Sequence, residues 1–260
     1  MKKFTPFFLI LGLVLFHGCG GESTGPDNGN EPDHVSIVQI DPVHGTVGLE
    51  DTAQVRIEFD RAVASVGAIL VPGLKWMDED WLFRSADSTT FYRTIVVQPE
   101  KVYQMIVFGA LGADGSYLDE AQMTVFTTTG ELPTGSITGK ATAPASHSPK
   151  GTVILLVDAK SWVPSYGFSE ENSLEDNIVA FGFVSESSGD FAIDNLPSGQ
   201  YYLYAFKDAT SDGVVEDEND LFGVYGEWGA FGLTLMNITV RNGQETEDID
   251  FLLLKGQSFF

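Results

Sequence analysis

Residues 53–60 read Ala-Gln-Val-Arg-Ile-Glu-Phe-Asp, and this strict alternation constrains the fold more than any other stretch of the chain. Val55, Ile57 and Phe59 fall on one side of an extended backbone and Arg56, Glu58 and Asp60 on the other, the signature of a strand buried on one face. Short runs of the same kind recur at Val35–Ile40, Ala68–Val71, Phe91–Gln98, Val102–Phe108 and Met123–Thr128. Turn residues punctuate them about every 8–12 positions, the spacing of a sandwich or barrel. In "TTTGELPTGS", Gly130, Pro133 and Gly135 break the pattern. A second set of runs follows at Ser136–Ala143, Thr152–Ala159, Asn177–Val184, Asp190–Ile193, Gln200–Lys207, Leu233–Val240 and Thr246–Leu254. No stretch sustains a helical period of apolar residues, so the sequence predicts an all-β chain of two consecutive β-sandwich domains, residues 34–131 and 135–256. Residues 161–176 form the longest irregular segment of the second domain and read as a loop, with room for a short helix near Ser169–Glu175.

Such domains need apolar cores, because a chain with one cysteine has no internal disulfide to hold them. Hydrophobic residues at 43%, including 19 Phe, are sufficient for that. The 37 acidic residues against 14 basic ones give a formal charge of −23. A surface so acidic repels nucleic acid and anionic membrane, both of which require a basic face.

The chain opens "MKKFTPFFLILGLVLFHGCGG", with Lys2 and Lys3 ahead of an apolar run from Phe7 to Phe16. A run of about ten residues is too short to span a bilayer and suits a secretory signal. The sole cysteine, Cys19, follows at once. The tetrapeptide Phe16-His17-Gly18-Cys19 resembles a bacterial lipobox, although the family prefers Leu where Phe16 stands. The resemblance implies that residues 1–18 are a lipoprotein signal peptide and that a lipid on the Cys19 sulfur holds the chain to a membrane. The alternative is an ordinary signal peptide with an incidental cysteine. Loss of residues 1–18 would leave 12 basic against 37 acidic residues, a formal charge of −25. Residues 19–33 then comprise the lipidated cysteine and "GGESTGPDNGNEPD", which has no aliphatic residue and the composition of a flexible tether.

The first domain opens "IDPVHGTVGLEDTAQVRIEFDRAV" and closes "MTVFTTT". These segments resemble the bacterial Ig-like domain of surface-layer proteins, with its P-x-x-G opening and Phe-Thr-Thr close; the stretch around Trp76 and Trp81 lies outside that pattern. The resemblance implies a spacer or adhesive module and brings no catalytic residues. The second domain holds "GSITGKATAP", "SSGDFAIDNLPSGQYYLYAFK" and, within it, the corner Leu196-Pro197-Ser198-Gly199-Gln200-Tyr201. It is similar to the carboxypeptidase-regulatory or transthyretin-like sandwich. Pro197 fixes one turn residue, Gly199 can turn the chain, and Tyr201 and Leu203 then begin a buried strand.

Two groups of residues are candidate sites. In "KDATSDGVVEDENDLFG", six carboxylates lie between Asp208 and Asp220. Asp208, Thr210 and Asp212 stand at alternate positions before Gly213, followed by the Val214 carbonyl and Glu216, the order in which oxygen ligands wrap calcium. Asn219 occupies the place of a bidentate Glu, so Asp220 or a neighbour must complete the set, and the site is expected to be structural. The competing reading is a charged solvent turn. Aromatic residues form the second group: Trp162 and Tyr166 in the long insert, and Tyr225 and Trp228 in "GVYGEWGAFG", where flanking glycines leave a ring open to a sugar face. Equally, such rings can cover the open end of a sandwich.

His34, His44 and His147 lie apart, with no partner at metal-ligand spacing. "GALGADG" near Gly109 has no helix or Lys after it and is not a phosphate loop. The sequence therefore predicts no enzyme. Its expected role is a lipid-anchored spacer, adhesion or binding module of a Gram-negative outer membrane, on the periplasmic face or the cell surface. Polysaccharide or another envelope protein is the expected partner, with an envelope assembly factor or a hydrolase as further alternatives.

Overall fold

A computed structural model describes residues 34–72, 75–78, 81–161, 177–210, 219–229 and 232–255. They are β-structure joined by turns, as the alternation predicts, and fall into two compact units, the first of residues 34–70 and 75–131 and the second of residues 132–255 together with residues 71–72.

The first unit contains β1 (His34–Val35), β2 (Ile37–Asp41), β3 (Thr52–Phe59), β4 (Val63–Val71), β5 (Lys75–Asp78), β6 (Phe83–Arg84), β7 (Thr90–Val96), β8 (Val102–Gly112), β9 (Tyr117–Leu118) and β10 (Gln122–Thr127). One sheet runs β1-β9-β8-β4-β5, with β10 also on β8; the other runs β2-β3-β7-β6. Val55, Ile57 and Phe59 of β3 are buried with Phe91 and Ile95 of β7 against Val66, Ala68, Met105 and Phe126 of the facing sheet. Phe59 meets Phe91 edge-on at 6.0 Å, a preferred geometry for two rings.

The P-x-x-G opening and the Phe-Thr-Thr close lie side by side. Gly45, at φ +89°, donates its amide to Val125, Gly48 to Thr129, and Thr127 to Thr46. The Thr124 hydroxyl donates to Pro42, and that of the fully buried Thr127 to Lys101. Polar threonines suit a closing strand here because each buried hydroxyl satisfies a loop carbonyl.

The second unit contains β11 (Gly135–Thr142), β12 (Val153–Asp158), β13 (Ile178–Phe183), β14 (Asp190–Leu196), β15 (Gly199–Lys207), β16 (Leu221–Val224), β17 (Gly226–Gly229), β18 (Gly232–Leu235), β19 (Ile238–Val240), β20 (Glu245–Thr246) and β21 (Phe251–Lys255). The strand order is β13-β12-β15-β16-β21-β11-β14, with β19 also on β15 and β20 on β11. The two ends of that order meet: any side chain at Gly182 of β13 would run into Ile193 of β14. The sheet therefore curls on itself around Ile137, Ile154, Leu156, Leu203, Leu221 and Leu253. β17 and β18 form a separate two-stranded ribbon.

The Leu-Pro-x-Gly-x-Tyr corner closes by a hydrogen bond: the Tyr201 hydroxyl donates to the Pro197 carbonyl at 2.7 Å. A side chain at Gly199 would press on that phenol ring, so the small residue lets the ring cross the corner. Burial, and then the negative charge of Asp158, push the Tyr201 phenol up to about 12.

Candidate functional site

The acidic stretch joins β15 to β16. Lys207 pairs with Leu221, so Asp208 and Asp220 stand one position beyond the last paired residues of an antiparallel ladder. Asp220 is fully buried, and its Oδ1 accepts the Ala209 amide at 3.0 Å. Asp208 is half-buried and accepts the Thr210 hydroxyl at 3.1 Å. The flanking strands thus bring together Asp208, Thr210 and Asp220. Asp212, Val214 and Glu216 lie outside the described residues. Among the described residues no group of three His, Cys, Asp or Glu could hold a metal.

Of the predicted aromatics, Tyr225 is half-buried and packs against the core of the second unit, with its amide bonded to Leu203 and its carbonyl to Met236. Trp228 belongs to the β17–β18 ribbon, opposite Leu233. Trp162 and Tyr166 lie outside the described residues, as does Cys19.

Among the described residues, an ordered array of solvent-facing functional groups lies elsewhere, on the outer face of the β2-β3-β7-β6 sheet. Register places Phe83 opposite Tyr92, Tyr92 opposite Arg56, and Arg56 opposite Asp41. Cross-strand partners share a face, so these four side chains form one row across four strands. Phe83 is 60% exposed and Tyr92 39%, although they are among the largest apolar groups of the unit. Their ring centroids are 6.0 Å apart at an interplanar angle of 41°.

Several contacts fix this row. Arg93 lies 4.4 Å from the Trp81 ring centroid and 5.7 Å from that of Phe83, and it donates to the Trp81 carbonyl. In the turn between β6 and β7, Asp87 accepts the Ser85 hydroxyl at 2.6 Å, the Thr89 amide at 3.2 Å and the Thr89 hydroxyl at 3.0 Å. The Ser85 hydroxyl, followed by both Thr89 groups, holds the Asp87 carboxyl below its ordinary range. At the other end of the row, Arg56 pairs with Asp41 at 3.6 Å and with Glu58, while the Gln39 amide donates to Asp41 at 2.8 Å. The row therefore has two adjoining rings at one end, Phe83 braced by Arg93, and at the other an ion-paired cluster in which one guanidinium serves two carboxylates.

Sequence reasoning assigned Arg56 and Glu58 to the solvent face but missed the row. The available signal was parity: in "TFYRTIV", Phe91 and Ile95 point inward, so Tyr92 must point outward. Nothing in the sequence alone places Phe83 beside it.

No family model matches the chain, and no curated protein matches it. Among solved structures, the TIE protein of Bacillus anthracis aligns with 88% of this chain and 42% of its own at 13% identity and a TM-score of 0.25. The chain therefore spans less than half the length of that protein. The major pilin subunit BcpA of Bacillus cereus aligns over 87% of this chain and 71% of its own at 10% identity and a TM-score of 0.26. A Pseudomonas aeruginosa protein described as carbohydrate binding aligns over 46% of this chain and 89% of its own, at 15% identity and 0.27. Such TM-scores are too low to indicate a shared fold, and the all-β character of this chain rests on its own strand pairing.

Proposed function

We propose that the chain is a non-catalytic, lipid-anchored protein of the cell envelope that displays two β-sandwich units as a spacer, adhesion or binding module. The observation that carries this reading is the spacing at the N-terminus. Cys19 follows the apolar run of the leader, residues 20–33 have a tether composition, and the first strand begins at His34. Fully extended, such a tether reaches at most about 50 Å, enough to separate a folded unit from the bilayer carrying its lipid. Replacing Cys19 with Ala is expected to move the protein from the membrane fraction to the soluble one. Continued membrane association of the unprocessed or cleaved variant would overturn the lipid anchor. Protease treatment of whole cells then distinguishes the cell surface from the periplasmic face.

A second reading is carbohydrate binding through the second unit, favoured by the position of Trp228 on a ribbon separate from the main sheet. It predicts loss of polysaccharide retention when Trp162 and Trp228 are changed to Ala. The Asp208–Asp220 connection is proposed as a structural calcium loop, because it begins and ends on aspartates at facing strand ends and side-chain oxygens at alternate positions are what a hard cation requires.

A further inference from the structure

We propose that the outer face of the β2-β3-β7-β6 sheet is a second and independent binding surface, and that its ligand is a neutral polysaccharide. The proposal extends the binding role above to a different unit and does not depend on lipidation of Cys19.

The argument begins with what a strand face normally carries. Outward positions favour polar side chains, and β3 obeys this with Thr52, Gln54, Arg56 and Glu58. Phe83 and Tyr92 depart from it side by side, on adjacent strands, at one end of a single row. Exposed rings that merely escaped the core have no reason to be braced. Here Arg93 and Trp81 support Phe83 from within the unit, and the Asp87 turn fixes the β6–β7 register that pairs Phe83 with Tyr92. The rings are thereby held in place before any ligand arrives, which lowers the ordering cost of binding.

The rest of the row selects the ligand. Arg56, Asp41, Glu58 and Gln39 present donors and acceptors side by side, and Arg56 is ion-paired with both carboxylates, which leaves the cluster with a formal charge of −1 and no free cation for an anionic ligand. A ligand with a flat C–H face and equatorial hydroxyls matches both ends, stacking on the rings and hydrogen-bonding to the polar cluster. Adjacent strands lie about 4.8 Å apart, so the four-strand row spans about 14 Å, room for an oligosaccharide segment rather than one sugar. An anionic polymer is disfavoured by the −23 formal charge of the chain. A protein partner is disfavoured because the apolar part of the row is confined to two rings, too little for a desolvated interface core.

The test is affinity electrophoresis of the full chain through native gels containing, in turn, soluble cellulose ether, laminarin, xylan or galactomannan. Retardation by at least one of these is expected. Phe83→Ala with Tyr92→Ala should weaken it by about tenfold or more, the usual scale for loss of a buried anchor, while Tyr92→Phe should retain it. Both substituted residues are exposed, so an unchanged thermal melt is the fold control. Quenching or shift of tryptophan fluorescence on titration with the retarding polysaccharide gives a second readout in a Trp162→Phe, Trp228→Phe background, where the remaining tryptophans, Trp76 and Trp81, both lie in the first unit. Undiminished retardation in the double alanine variant would overturn the proposal and assign binding to another surface, with Trp162→Ala and Trp228→Ala testing the second unit. No retardation in any gel would also overturn it, and neither result bears on the Cys19 fractionation.

Discussion

The two units solve the same packing problem differently. The first divides its strands between two sheets and joins them through backbone bonds from the Pro42–Gly48 segment to β10 and beyond. The second keeps nine strands in one hydrogen-bonded order that curls until β13 meets β14. The consequence is where outward chemistry can reside. An open sheet such as β2-β3-β7-β6 offers a broad outer face, and register alone can align Phe83, Tyr92, Arg56 and Asp41. In the second unit the candidate groups sit in connections instead, on the β15–β16 loop and the β17–β18 ribbon. Loops adapt, whereas a sheet face is fixed by its ladder.

The largest expected effect breaks the first unit. Phe91 is fully buried between the sheets and lies directly behind the Tyr92 face. Phe91→Ala should cost about 3–5 kcal/mol, seen as loss of hydrogen-exchange protection in peptides from residues 34–131. It should also weaken polysaccharide retention if the row depends on β7. A smaller cost is expected at paired glycines. Gly115 and Gly189 have nearly the same positive φ, +90° and +89°, but a side chain on Gly115 meets nothing within 4 Å. One on Gly189 would overlap the Ala141 carbonyl, in a turn where Ala141 also donates its amide to Gly189. Gly115→Ala should therefore cost about 1–2 kcal/mol from backbone strain alone, and Gly189→Ala measurably more in urea unfolding. Equal costs would show that the Gly189 turn relaxes freely.

The tyrosines extend the comparison. Tyr103 in the first unit accepts the Gln98 amide through its hydroxyl at 2.7 Å, while Tyr201 in the second donates to Pro197. Loss of either hydrogen bond by substitution with Phe should cost about 1 kcal/mol. Tyr201 also carries an expected alkaline signature. Its folded value of about 12 lies above the ordinary phenol value of 10.0, so the folded state retains the proton longer than the unfolded chain. The stability from that difference is full below pH 10 and is lost as pH rises from 10 to 12. The loss is about 3 kcal/mol at most. Urea midpoints measured across this range should fall more steeply for the parent chain than for Tyr201→Phe. Parallel curves would place the titration elsewhere.

Legibility in the sequence followed the same division. Period two located β3 and β7, because one face of each is buried and the other solvated, whereas β8, β10, β12 and β15 are short apolar runs between turns that are buried on both faces over much of their length. The strands missed were short, like β6 and β9, or edge-like, and β16 was hidden by the carboxylates before it although it joins β15 to β21. The runs at Leu233–Val240 and Thr246–Leu254 each resolve into two strands, parted at residues 236–237 and at the acidic stretch 247–250. The Tyr201 corner was legible because Pro and Gly act locally. The Phe83–Tyr92 row was not, because cross-strand register is non-local: parity shows that Tyr92 points outward, but only pairing shows what stands beside it.

The smallest effect tests the loop of the second unit. The Lys207–Leu221 pair sets Asp208 and Asp220 at facing strand ends, and the Ala209 amide already occupies one oxygen of Asp220. A hydrogen bond offsets only part of the repulsion among six carboxylates, and a divalent cation would neutralise more of it. With affinity of the ~0.1–1 mM kind found in extracellular modules, millimolar calcium stabilises by about 1 kcal/mol and raises the melting temperature by about 3 °C. Hydrogen exchange should assign that gain to residues 135–256, with residues 34–131 unchanged, and Asp208→Ala with Asp212→Ala should abolish it. A gain of equal size in both units would instead report general screening of an acidic chain, and an unchanged melt would leave the connection as a charged turn closed by Asp220.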